Sequence, residues 1–245
     1  MHRYDDSGGV RIYRSPSNHS NGQTIDGTGR LITCEHQTRR VTRETTDGIE
    51  MLVDSYEGKM FNSPNDVVAA RDGSLIFTDP AYGLDKVEEG GGGERELSFQ
   101  GVYRISPDSN EAELLVEDFV GPNGLALSPE EDILYVADSE RSHVRSFEIG
   151  AGWELSGGGV LAEIPSEGDE VPDGMKVDVE GNIYCTGKGG VWILSPGGAM
   201  LGHIQVPETT ANLAWGDEDA RTMYITADTS LYRIRCRAVG YAPHQ

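Results

Sequence analysis

Five short phrases in this chain each set an amide or carboxylate side chain just ahead of a β-like run. They are Ser20-Asn21-Gly22, Pro64-Asn65-Asp66, Pro122-Asn123-Gly124, Pro172-Asp173-Gly174 and, more weakly, Ala211-Asn212-Leu213. The key residues lie 44, 58, 50 and 39 positions apart. Their oxygens are hard donors. A ring of Asn21, Asn65, Asn123, Asp173 and Asn212 would suit a cation such as Ca²⁺, which takes roughly six to eight oxygens, with water or substrate completing the shell. A cation with open positions polarises a carbonyl or phosphoryl oxygen and acidifies water. Asp173 is the one carboxylate at the repeated position, which makes it a candidate for both ligand and proton acceptor. Any single Asn-Gly or Asp-Gly pair reads more readily as a turn than as a site. What argues for more is that Pro64, Pro122 and Pro172 fix the entry to the following strand in the same way.

Residues with this spacing need a scaffold that repeats every 40–50 positions. Each phrase leads into a turn and a second β-like run: Arg30–Cys34, Ser74–Asp79, Ile133–Asp138, Asn182–Thr186 and Thr222–Ala227. Such a repeat, built from short strands, is the signature of a β-propeller, in which equivalent positions of every blade converge on one axis. The strand signals predict four full blades, a last one with three clear strands, and a fragment, His2–Tyr4 with Val10–Tyr13, at the start. The expected architecture is therefore all-β: a single domain over 1–245, a six-bladed propeller with an incomplete first blade. Lys86–Ser98, with four consecutive glycines from Gly90 to Gly93, reads as solvated slack, with a lid at the mouth as the sharper reading.

Composition narrows the function. A net charge of −21 argues against nucleic acid as a partner. Cys34, Cys185 and Cys236 form neither a disulfide framework nor a zinc-spacing motif. No apolar stretch approaches the roughly 20 residues that span a bilayer, and the polar N-terminus carries no secretory signal, so the expected location is the cytoplasm. Neither a Gly-x-Ser-x-Gly elbow nor a phosphate-binding loop is present.

The linked motifs resemble the gluconolactonase / senescence marker protein (regucalcin) family of sugar-lactone lactonases. The phrases that carry the resemblance are Ser20-Asn21-Gly22, Cys34-Glu35-His36 with Arg39–Arg43, Asn62–Val68, Phe77–Leu84, Gly121–Ala126 and Pro172–Met175. The resemblance implies a six-bladed propeller with an axial divalent ion, commonly Ca²⁺, with Zn²⁺, Mg²⁺ or Mn²⁺ as alternatives. It implies hydrolysis of a small-molecule sugar lactone to the aldonic acid. Asn123 and Asp173 match metal ligands, Asn65 matches a residue beside the metal or substrate, and Asp173 matches the general base. Asn21, His36 and Tyr82 join Asn65 as candidate substrate contacts, His36 otherwise reading as a partly exposed surface residue.

One element of the family pattern is missing. A Glu-Gly-Pro-like phrase on the first inner strand supplies a further metal ligand in the family, and no such phrase precedes Arg3. The expectation is a chain that begins inside the first blade, binds metal more weakly than an upstream-extended form, and carries an open edge able to recruit a second copy. The alternatives are a non-catalytic calcium-binding scaffold and a related esterase or organophosphate-cleaving propeller. The acidity itself reads either as a solubilising surface or as adaptation to high salt. On the second reading, added salt raises the midpoint of an equilibrium unfolding curve by screening self-repulsion. A midpoint indifferent to salt leaves only the first.

Overall fold

The computed structural model of the protein describes residues 1–109 and 111–241. Five antiparallel sheets, each with its strands in sequence order, stand around a common axis as the blades of an all-β propeller. The first is Ser20–Ile25, Leu31–Glu35, Arg40–Thr45 and Gly48–Val53. The second is Val67–Ala69, Leu75–Asp79, Gln100–Ile105 and Ala112–Phe119. The third is Pro122–Leu127, Ile133–Asp138, His143–Ile149 and Leu155–Glu163. The fourth is Met175–Val177, Ile183–Gly187, Gly190–Leu194 and Met200–Gln205, and the fifth is Thr210–Gly216, Thr222–Ala227 and Leu231–Arg235.

The expected six blades are corrected to five. The initial segment forms only a two-stranded hairpin, His2–Asp5 with Gly9–Ile12. The physical reason is that a blade must bury both of its faces, and this hairpin buries neither. Val10 and Ile12 stand 61% and 70% exposed, and two strands alone are marginal in water. Polar contacts hold it between the last blade and the first. Asp6 pairs with Arg233 at 2.7 Å, the Tyr4 ring lies 5.9 Å from that of Tyr224, and Tyr13 Oη–H donates to the Glu44 carboxylate.

The core is four slabs between neighbouring blades rather than one mass. Ile32, Cys34, Val41, Phe61 and Phe77 fill the first interface. Ile76, Val102, Leu125 and Leu134 fill the second. Tyr135, Met175, Ile183 and Cys185 fill the third, and Tyr184, Val191, Trp215 and Met223 the fourth. Residues of the three middle blades therefore alternate between two different slabs, which is why the second strands Leu75–Asp79 and Ile183–Gly187 are buried along their whole length. Cys34 and Cys185 are free and buried, in keeping with core packing.

Near the axis, glycine sets the spacing between blades. The Gly22 N–H donates to the Asn65 carbonyl at 2.7 Å, Gly124 N–H to the Asp173 carbonyl at 3.0 Å, and Gly174 N–H to the Ala211 carbonyl at 2.8 Å. A Cβ on Gly124 would fall 1.9 Å from the Asp173 carbonyl oxygen, and one on Gly174 2.2 Å from the Asn212 side chain. The glycine that follows each Asn or Asp is thus a packing requirement and not merely a turn residue. Between the second and third blades Asp66 occupies the position, and Thr78 Oγ1–H supplies the link instead, donating to the Asn123 carbonyl at 2.8 Å. Gly124→Ala should lower stability by about 1–3 kcal/mol through overpacking. Gly159→Ala, where a Cβ meets nothing within 4 Å, should change it by less than about 0.5 kcal/mol. Denaturant midpoints of the two variants check this.

Candidate functional site

The N-terminal ends of the inner strands converge on a cavity of about 890 Å³ at one mouth of the axis. Asn21, Asn65, Asn123, Asp173 and Tyr82 all line it. Asn212 does not. Its Oδ1 accepts the Leu213 N–H at 2.8 Å, and the residue faces a side cleft between the fifth and first blades. Thr209, Thr210 and Ala211 supply the fifth blade's share of the mouth. The expected ring of five is therefore an arc of four.

Each member of the arc is fixed by its backbone. Asn65 N–H donates to the Thr78 carbonyl at 2.8 Å and Asp173 N–H to Thr186 Oγ1 at 3.0 Å. Carboxylates closing the second strands fix the loops that lead in. Asp79 accepts from Asn62 N–H at 2.8 Å, and Asp138 accepts from Val120 N–H and Gly121 N–H at 3.0 and 3.1 Å. Glu35 holds the equivalent place in the first blade, accepting from Asn18, Thr38 and Arg40 and pairing with Arg14 at 3.1 Å. Burial works against the charge of Glu35, but these donors prevail and its pKa is lowered.

Asn123 carries the most specific signal. Its Nδ2 donates to Ser139 Oγ at 3.0 Å, and Ser139 Oγ–H donates to the Pro172 carbonyl at 2.5 Å. With the amide nitrogen so engaged, Oδ1 is left buried without a partner. An unpaired buried acceptor is costly, and it lies beside Asp173 in the wall of the cavity. Burial, reinforced by the negative charges of Asp66 and Glu89, pushes the Asp173 pKa up to about 8, against the opposing pull of Asn123 and Lys86. Asp66 itself is fully enclosed. Burial raises its pKa, and nearby Lys176 draws it back.

His36 is not the surface residue expected of it. It is 1% exposed and sits behind the cavity wall, with Nε2 at 3.2 Å from Asn21 Nδ2 and 3.5 Å from Asn65 Nδ2. Burial lowers its pKa. Tyr82 lies on the wall itself, close under Gly121, where an added Cβ would strike its hydroxyl. Burial raises its pKa. The glycine-rich excursion is also placed. One-turn helices Tyr82–Asp85 and Val87–Gly90 sit over the mouth, so Lys86, Glu88 and Glu89 join the lining. The sequence reading missed Lys86, Glu89 and Ser139 as site residues. Ser139 had a signal: it directly follows the carboxylate that closes a second strand.

The donor set fits a hard cation in part. Asn123, whose Oδ1 is buried and unpaired, lines the same cavity as Asp173 and Asn65. Among the described residues, however, no three of His, Cys, Asp and Glu converge as a metal-holding group. A cation here would rest on amide oxygens with a single carboxylate, which favours Ca²⁺ or Mg²⁺ over softer ions.

Comparison with known proteins gives this arrangement a context. Residues 1–229 match the family model described as the SMP-30/Gluconolactonase/LRE-like region. The gluconolactonase of Zymomonas mobilis is 31% identical over 98% of this chain and 73% of its own length. A solved structure of a gluconolactonase from Xanthomonas campestris superposes with a TM-score of 0.90 at 34% identity, covering 96% of this chain and 77% of that one. A calcium-binding regucalcin from Agrobacterium tumefaciens, at 17% identity and a TM-score of 0.62 over 86% of this chain and 83% of its own, shares the fold alone. The propeller, the ordered Asn and Asp positions and these matches agree, and the chain belongs to the SMP-30/gluconolactonase family.

Proposed function

We propose that this protein hydrolyses a sugar lactone of the gluconolactone type to its aldonic acid, with a divalent cation at the axial mouth. The observation that carries the reading is the buried, unpartnered Oδ1 of Asn123 beside Asp173, in a cavity rich in oxygen acceptors. Asn123, Asp173 and Asn65 are the residues that would hold the cation, Ca²⁺ before Mg²⁺, Mn²⁺ or Zn²⁺. When bound, such an ion supplies Lewis acidity toward the lactone carbonyl.

The chain's own groups provide the rest. In its ionised form Asp173 takes a proton from the attacking water as the water oxygen bonds to the carbonyl carbon. The ring C–O bond then breaks, and the ring oxygen leaves as an alcohol after regaining a proton. The amide oxygens of Asn21 and Asn65 accept hydrogen bonds from sugar hydroxyls, and Tyr82 closes one side of the cavity. The product is an anion formed among Glu88, Glu89 and Glu140, so like-charge repulsion favours its release.

A second reading is a calcium-binding scaffold without turnover. Proton release from gluconolactone, corrected for spontaneous hydrolysis, separates the two. The lactonase reading expects acceleration by Ca²⁺, loss with EDTA, and a fall of about 10²–10⁴-fold in kcat for Asp173→Ala. Calcium binding without acceleration establishes the scaffold.

Protonation of the site has a stability consequence. Asp173 and Asp79 have pKa values raised to about 8 and about 7 from 3.8. At these two carboxyls the folded, metal-free protein holds more protons than the unfolded chain between about pH 4 and 8, so their contribution to stability falls as pH rises through that window, opposed below about pH 6.5 by His36 and His143, whose pKa values burial lowers. The Tm of metal-free protein should be higher at pH 6.5 than at pH 8.5, and Asp173→Asn should flatten the slope. A Tm that rises with pH over this range would contradict the assignment.

A further inference from the structure

Behind the cavity wall, the surroundings of His36 restrict its chemistry more tightly than those of any other ring in the site. Its Nδ1 lies 3.2 Å from the main-chain carbonyl oxygen of Glu89. A carbonyl only accepts, so this contact requires a proton on Nδ1. Its Nε2 faces two side-chain amides, Asn21 at 3.2 Å and Asn65 at 3.5 Å. In a neutral ring with Nδ1 protonated, Nε2 is an acceptor with one in-plane lone pair, which the Asn21 N–H takes at 3.2 Å and the Asn65 N–H shares at 3.5 Å. Their oxygens then point away from His36, and both residues line the cavity.

The ring is also wedged between elements. A Cβ on Gly83 would fall 2.9 Å from both His36 Cβ and Ser63 Cβ, and one on Gly90 2.5 Å from the Gly83 Cα. The one-turn helices Tyr82–Asp85 and Val87–Gly90 therefore rest directly on His36 and on each other. The same helical segment carries Tyr82, Lys86, Glu88 and Glu89 over the mouth.

We propose that His36 is a positioning residue: held as the Nδ1–H tautomer by the Glu89 carbonyl, it turns the amide oxygens of Asn21 and Asn65 toward the cavity and ties them to the helical segment above. It touches neither substrate nor reacting atoms. Its effect is to make the arc a set of acceptors, suited to sugar hydroxyls or a cation, where flipped amides would present donors. The catalytic part of this inference rests on the lactonase reading, whereas the tautomer does not.

Two measurements test it. Long-range ¹H–¹⁵N correlation spectra of the native protein at pH 7.5, with His36 identified by its absence from the His36→Gln spectrum, read the tautomer directly. The expected result is a protonated Nδ1 and a bare Nε2. An Nε2–H tautomer or an imidazolium overturns the proposal whether or not the protein is a lactonase. Kinetics then separate positioning from packing. His36→Leu fills a similar volume but leaves both amides and the Glu89 carbonyl without partners. It should raise KM for gluconolactone about tenfold, equivalent to about 1.4 kcal/mol, with a change in kcat of less than about threefold. His36→Gln, whose amide can both donate and accept, should recover most of that loss. Equal KM values in the two folded variants and the native protein overturn the positioning role, and loss of Tm without the KM split shows that the ring only packs.

Discussion

Everything at the axis depends on how closely neighbouring inner strands approach one another, and at three of the four junctions that approach is set by a main-chain hydrogen bond that only glycine permits. At Gly22, Gly124 and Gly174 the amide donates straight into the carbonyl of the next blade. No room remains for even a methyl group. Because the glycine directly follows the Asn or Asp, the bond that locks two blades together also fixes where that polar side chain begins. Site and scaffold are therefore one feature: a shift in blade spacing would move the functional oxygens by the same amount. The interblade slabs of Ile, Leu, Phe and Met supply the burial that drives assembly, but they do not set register at the axis.

The lock has a limit. It runs from the first blade to the fifth, and the four apolar slabs do the same. Between the fifth blade and the first lies a cleft of about 620 Å³, edged by Asn21, Gln23, Lys176, Asn212 and the Tyr4–Asp6 end of the hairpin. The contacts that cross this side, Asp6 with Arg233 and Tyr13 with Glu44, are exposed. Such pairs contribute little in water. The mouth is thus built on an arc of five blades joined by four apolar slabs, with a weaker polar join on its remaining side.

Charge is concentrated where it is least easily neutralised. The mouth gathers Glu88, Glu89, Glu140, Glu167, Asp169, Asp173 and Asp228 around one lysine, Lys86. Asp66 adds a carboxylate beneath Asp173 and helps to raise its pKa. Such a field draws cations and neutral polyols and disfavours anions. It is consistent with a hydrolase that takes in an uncharged ring and expels an acid.

Much of this was legible in the linear chain. The period of the Asn and Asp phrases predicted a propeller, and the strand signals located each blade to within a few residues, because short strands alternate visibly and turns are marked by glycine. The four residues of the arc were legible for the same reason. The blade count was not: the runs around Val10 read as strands, and only the fold shows that they have no slab to enter. Asn212 matched the phrase but not the place, since whether a side chain faces the mouth or a cleft depends on which blade lies beside it. His36 could not be read as buried, because the elements that cover it, at Gly83 and Glu89, lie some fifty residues along the chain. Local pattern thus determined the repeat, the strands and the identity of the oxygen donors, which are encoded over a few adjacent residues. The tertiary structure alone decided which donors converge, which stay unpaired and which carboxyl holds its proton, because orientation, burial and field arise only where distant segments meet.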